Sequence, residues 1–185
     1  MSMAETFTVL ARLVEDKVID TYAIAGAVAA YNYIEAAVTD DLDVLIAVEK
    51  TGDSGLLTLA PIFAALRSMG YTEFRAEGIV IGEWPVQFLP VASELDAEAL
   101  RTAETIDIEL RGQSFKARIL RPEYLVAKTL EVGRSKDYTR VVQFVEDEAV
   151  DMGRLQDVLR RFGLGPAWET FCWRTGIQRH DHGNG

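Results

Sequence analysis

Two aspartates one residue apart, Asp41 and Asp43, open an apolar run in Thr39-Asp40-Asp41-Leu42-Asp43-Val44-Leu45-Ile46-Ala47-Val48-Glu49. Side chains alternate along a strand, so Leu42, Val44, Ile46 and Val48 form one apolar face. Asp41 and Asp43 share the other, with Cα atoms about 7 Å apart. Two carboxylates side by side at the margin of a core repel each other and are costly to desolvate. Either water solvates them or a divalent cation bridges them. Mg²⁺ suits the second arrangement, because it favours one or two carboxylates plus substrate phosphates over a closed protein cage. The plain alternative is an exposed edge strand carrying ordinary surface aspartates.

Other chemistries are excluded by count. Cys172 is the single cysteine, so neither an intrachain disulfide nor a cysteine-based zinc cluster can form. The two histidines, His180 and His182, fall in the terminal Arg-His-Asp-His-Gly-Asn-Gly stretch, which reads as a disordered tail over 179–185. Catalysis therefore has to run on carboxylates, amines, guanidiniums and backbone groups. The 185 residues carry a net charge of −10, placed unevenly. Residues 1–110 hold 6 bases against 19 acids, whereas 111–140 holds eight bases against three acids. A chain this acidic binds nucleic acid poorly without specific contacts, since that affinity depends on neutralising phosphates with cations. The basic stretch suits a nucleoside triphosphate or one end of an RNA; a solvated basic surface is the bland alternative. The longest nearly apolar run, 22–31, is half of what a membrane span needs, and the first twenty residues lack a signal-peptide core. A cytoplasmic protein with no membrane partner is expected.

The elements that must position the two aspartates follow from periodicity and punctuation. A helix over 3–17 precedes a strand near Tyr22–Ala25, and Gly26 turns the chain into a small-residue helix, Ala27–Asn32. The strand over Asp41–Glu49 is followed by an amphipathic helix over Gly55–Met69, stopped at Gly70. Residues 78–81 and 84–89 read as a hairpin, and 105–111 and 114–120 as two further strands. Beyond Arg121 helices are expected over 122–133, 136–148, 151–162 and 166–175, with Pro122 at a first helical position. The chain thus reads as α+β: a core over 1–120 with a mixed β-sheet flanked by helices, then a helical segment over 121–178 packed on it. Trp84, Trp168 and Trp173 read as packing residues. Gly52-Asp53-Ser54-Gly55 lacks the phosphate-loop lysine and reads as a loop with a helix cap.

A glycine at a strand-to-helix turn lets backbone approach phosphate closely, and carboxylates on the next strand can hold the cation that phosphate brings. Gly26 stands in that relation to Asp41 and Asp43. The layout resembles the nucleotidyltransferase superfamily, in particular its small bacterial members, the minimal nucleotidyltransferases and the abortive-infection toxin-like group. These have a Gly-Gly or Gly-Ser turn and then a T-x-D-x-D strand, matched here by Gly26, Ala27, Thr39, Asp41 and Asp43. Pro85-Val86-Gln87-Phe88-Leu89-Pro90 looks like their later strand. Pro122-Glu123-Tyr124-Leu125-Val126-Ala127-Lys128, with Gly133-Arg134-Ser135-Lys136-Asp137, looks like their helical signature.

The resemblance implies nucleotidyl transfer from a Mg²⁺-bound nucleoside triphosphate to an acceptor hydroxyl, at a site able to take two ions. Asp41 and Asp43 would be catalytic and metal-holding. Gly26, Ala27, Thr39, Lys128, Arg134 and Lys136 would bind nucleotide. The departures are Ala27 for the second small residue, Ala37 where many relatives carry arginine, and Gln87 where the third carboxylate usually stands. Asp107 is the candidate replacement, with Glu109 on the same face of its strand. Implied partners are an RNA or protein acceptor, an antitoxin or a second copy in a homodimer. The rival reading is a non-catalytic nucleotide-binding or toxin–antitoxin module on the same fold, with Gln87 as the mark of lost catalysis. Lys128 also reads as a snorkelling helix-edge lysine, and Asp137 as a helix cap that leaves Arg134 and Lys136 solvated.

Overall fold

In the computed structural model, which describes residues 3–35, 39, 41–48, 58–110 and 113–178, the apolar run after Asp41 becomes an interior strand. Leu42, Val44 and Ile46 are fully buried, as the alternation requires, but Leu45 on the opposite face is also buried. The strand is therefore covered on both faces, and the edge-strand alternative does not hold.

The chain forms an α+β architecture whose first unit is built on a seven-stranded mixed sheet. Its strands are β1 (Thr21–Ile24), β2 (Leu42–Ala47), β3 (Phe74–Arg75), β4 (Gly78–Ile81), β5 (Trp84–Pro90), β6 (Glu104–Leu110) and β7 (Gln113–Ile119). Their order is β3-β4-β5-β2-β1-β7-β6, which puts β2 in the middle. β2 runs antiparallel to β1 and parallel to β5. β1 meets β7 in parallel through the single pair Ile24–Ile119, while the β6–β7 hairpin is paired from Glu104–Ile119 to Leu110–Gln113.

Among the described residues, four helices belong to this unit: α1 (Met3–Glu15), α2 (Gly26–Ala30), α3 (Ala60–Ser68) and α4 (Glu94–Thr102). Thr6 of α1 is buried and donates its hydroxyl to the Ile81 carbonyl at 2.9 Å, fastening the helix to β4. The helix expected from Gly55 begins at Ala60 and ends before Gly70, which takes the left-handed φ of 95°. Ala37, the 52–55 loop and the 179–185 tail lie outside the described residues.

Helix α4 and strand β3 were not expected. Ser93 caps α4 by accepting from the Asp96 N–H at 3.1 Å, and Asp96 Oδ2 accepts from the Ser93 N–H at 3.1 Å. This is a capping box with aspartate in the usual glutamate place, followed by a short helix of weak apolar content. The exposed β3 is two residues long, too short to show an alternation.

The second unit holds residues 33–35 and 121–178. Its helices are α5 (Pro122–Val132), α6 (Tyr138–Glu146), α7 (Met152–Arg161) and α8 (Gly165–Thr175), with a 3-10 turn at Ser135–Asp137. Leu155, Val158, Phe144 and Phe171 fill its core, and Tyr138 meets the Phe171 ring edge-on at 5.3 Å. Trp84 and Trp168 are buried, but Trp173 is 84% exposed, against the packing role expected of it. The inner stripe of α8 runs through Trp168, Phe171 and Cys172 at helical spacing, and position 173 falls off that stripe. No helix among the described residues is long and apolar enough to cross a membrane.

Candidate functional site

The site begins where β1 ends. Ala25 donates its N–H to the Asp43 carbonyl at 2.9 Å, extending the β1–β2 pairing by one residue. The chain then turns at Gly26, whose φ of 60° lies in the left-handed region that favours glycine. A Cβ built on Gly26 would fall 2.0 Å from Asp43 Oδ2 and 2.9 Å from its Cγ. The half-buried carboxylate of Asp43 thus fills the space a side chain at 26 would need. Asp41 stands exposed one residue ahead of β2, and its Oδ1 accepts the Thr39 hydroxyl at 2.6 Å.

Parallel pairing of β2 with β5 sets Gln87 opposite Asp43. Residues so paired project from the same face, which makes Gln87 the lateral neighbour of the carboxylate. The Gln87 amide donates through Nε2 to Glu77 Oε2 at 2.9 Å. Glu77 was not singled out in the sequence. Its signal was faint: an acid ahead of Gly78, in a hairpin whose first strand is only two residues long.

Among the described residues, no group of three or more acids, histidines and cysteines is placed to hold a metal ion. The donors at Asp41, Asp43 and Gln87 are two carboxylates and an amide, all hard oxygens. That set fits a cation carried in by phosphate, which completes its shell with substrate and water. It does not form a closed protein cage.

Asp107 is not part of this arrangement. It lies on edge strand β6, and β1 and β7 separate β6 from β2. Three inter-strand spacings amount to about 14 Å, too far for Asp107 and Asp43 to share one cation. Asp107 pairs in register with Lys116 on β7, and Glu109 with Ser114. Arg118, from the basic stretch, serves the fold: its guanidinium donates to Thr21 Oγ1 at 2.7 Å and to the Leu100 carbonyl at 2.8 Å, near the C-terminal end of α4.

Lys128, Arg134 and Lys136 belong to the helical unit. Lys128 donates its ammonium to Glu131 at 2.6 Å, one turn along α5. Arg134 and Lys136 are exposed at the turn after Gly133. Asp137 occupies the N-cap position of α6 without a side-chain capping bond and lies 3.8 Å from Arg140. A cavity of about 350 Å³ in the same unit is lined by Arg121, Glu123, Arg154, Asp157 and Arg161 among others. Its arginines face acids: Arg121 with Glu123 at 3.6 Å, Arg154 with Asp151 at 3.7 Å and Arg161 with Asp157 at 2.7 Å.

No protein-family model matches the chain. No curated protein matches it either. Among solved structures, it is similar to an antigenic nucleotidyltransferase-like protein from Paracoccidioides brasiliensis, at 17% identity and a TM-score of 0.47, over 92% of this chain and 93% of that one. It is also similar to ANT(2″)-Ia, solved in complex with adenylyl-2″-tobramycin, at 14% identity and a TM-score of 0.43, over 94% of this chain and 99% of that one. Scores below 0.5 leave both as distant likenesses.

Proposed function

We propose that this chain is a nucleotidyltransferase-type protein that binds a Mg²⁺-bound nucleoside triphosphate and passes its nucleotidyl group to an acceptor hydroxyl, with pyrophosphate as the leaving group. The observation that carries this reading is the packing of the Asp43 carboxylate on the bare Cα of Gly26, at the end of β1. It joins a close-approach backbone turn to an acidic strand, the combination that phosphate with a divalent cation requires. Asp41 and Asp43 hold the cation, the Gly26–Ala27 turn seats phosphate, and the Thr39 hydroxyl orients Asp41. Mg²⁺, when bound, neutralises charge on the phosphates and on the departing oxygen.

A second reading is favoured by one observation: Gln87, a neutral amide, is the register neighbour of Asp43. Two acids hold a substrate-borne cation but supply little for a second, nucleophile-activating ion. On that reading the chain is a non-catalytic nucleotide-binding module, with an antitoxin, an RNA or a second copy as its partner.

Calorimetry with each nucleoside triphosphate, with and without Mg²⁺, on wild type and Asp43→Asn, tests both. Radiolabelled transfer then separates them. Metal-dependent binding lost in Asp43→Asn with label transferred supports the enzyme, and the same binding without transfer supports the module. Binding that ignores both Mg²⁺ and Asp43 removes both.

A further inference from the structure

The Glu77–Gln87 hydrogen bond is made by the residue that stands in register with Asp43. Three features build it. Gly78 brings β4 close to β5: a Cβ there would lie 2.9 Å from the Pro85 carbonyl carbon and 3.0 Å from the Val86 nitrogen. Ile79 pairs with Val86, the residue before Gln87 on β5. Finally, the two-residue turn between β3 and β4 is Ala76-Glu77, and Ala76 adopts a φ of 51°. A non-glycine residue in that region is uncommon and strained, and such strain persists where surrounding contacts impose it. The turn presents Glu77 to Gln87.

A carboxylate only accepts hydrogen bonds, so the amide group facing Glu77 is the NH₂. The carbonyl oxygen is the other arm of the fork. β5 lies between β4 and β2, and Gln87 on it stands in register with Asp43. Amide oxygens are competent ligands for hard divalent cations. We infer that Glu77 is a positioning residue, which locks the Gln87 amide so that its oxygen serves as a neutral third ligand to a divalent cation at Asp43. Without Glu77 the amide is free to rotate and to offer the cation its NH₂.

This rests on the two-carboxylate reading above, and the test separates the two. Mn²⁺ alone is titrated into the full chain, with free Mn²⁺ read by electron paramagnetic resonance and folding checked by circular dichroism. Asp43→Asn should remove the site. Glu77→Ala should weaken Mn²⁺ about tenfold, the lower end of what loss of an orienting partner costs a metal site. Gln87→Ala should weaken it equally, and the double variant no further, since both act through one contact. Glu77→Gln, whose amide oxygen can still accept from Gln87, should bind nearly as wild type does. Mn²⁺ binding unchanged in Glu77→Ala but lost in Asp43→Asn overturns the role of Glu77 alone. A Glu77→Gln defect as deep as that of Glu77→Ala also overturns it, because charge and not orientation would then be at work. Mn²⁺ binding indifferent to Asp43→Asn defeats the site itself.

Discussion

The carboxylate of Asp43 stands where the side chain of residue 26 would begin, 2.0 Å from the position of a Cβ on Gly26. A left-handed φ and a steric exclusion therefore fall on the same residue, and either alone would favour glycine. The turn and the acid are one mechanical unit, although seventeen positions separate them in sequence.

Gly26→Ala should lower the melting temperature and displace the Asp43 carboxylate. The left-handed backbone costs alanine about 1–2 kcal/mol, and the collision adds to that. In an Asp43→Ala background the carboxylate is gone and chiefly the backbone cost should remain. Thermal melts of the two singles and the double would show that non-additivity; strictly additive losses would contradict the packing.

Gln87→Asp should tighten Mn²⁺ binding, because a charged oxygen replaces a neutral one beside Asp43. Without metal the added carboxylate repels its neighbours, so the melting temperature of the metal-free protein should fall. Titration and melts with and without Mn²⁺ check both signs. Looser binding would place Gln87 away from the cation.

Asp107→Ala should leave Mn²⁺ binding as it is in wild type, since two strands intervene between β6 and β2. A loss comparable to that of Asp43→Asn would contradict the strand order.

Asp151 caps α7 by accepting the Arg154 N–H at 2.9 Å. That backbone hydrogen bond, assisted by the Arg154 charge, holds its carboxyl below the ordinary aspartate value of 3.8. A depressed folded-state value means the stabilisation is present above the ordinary value and is lost as pH falls through the lowered one. Asp151→Ala should therefore melt below wild type at neutral pH, with the gap closing once pH drops under about 4. A gap that does not change between neutral pH and pH 2 would show that the ionised cap contributes nothing.

Much of this was legible because it is periodic. The alternation in 42–48 marks β2, and Pro122 and Gly133 bracket α5, with Gly133 in the left-handed conformation that a helix end favours. Asp43 beside a glycine turn was expected from residue order. What escaped was long-range or too short to repeat. Whether β2 was an edge or an interior strand depended on partners that pair at a distance. Asp107 looked close because nothing local reveals how many strands lie between. Helix α4 hid behind an aspartate in its capping box, and Glu77 behind a two-residue strand.

The β6–β7 hairpin is zipped along its length, yet among the described residues its backbone joins the rest of the sheet through the Ile24–Ile119 pair and the adjoining bond from the Leu120 N–H to the Ile24 carbonyl, with the Arg118 guanidinium on Thr21 as a side-chain tie. The sheet consequently has a seam. Thermal opening need not unpair the hairpin or the five strands around β2; it can part them along that line. The amides on either side would then form two exchange populations. The seam meets β1 at Ile24, two residues before Gly26, so loosening it would slacken the Gly26 turn before disturbing β2 itself.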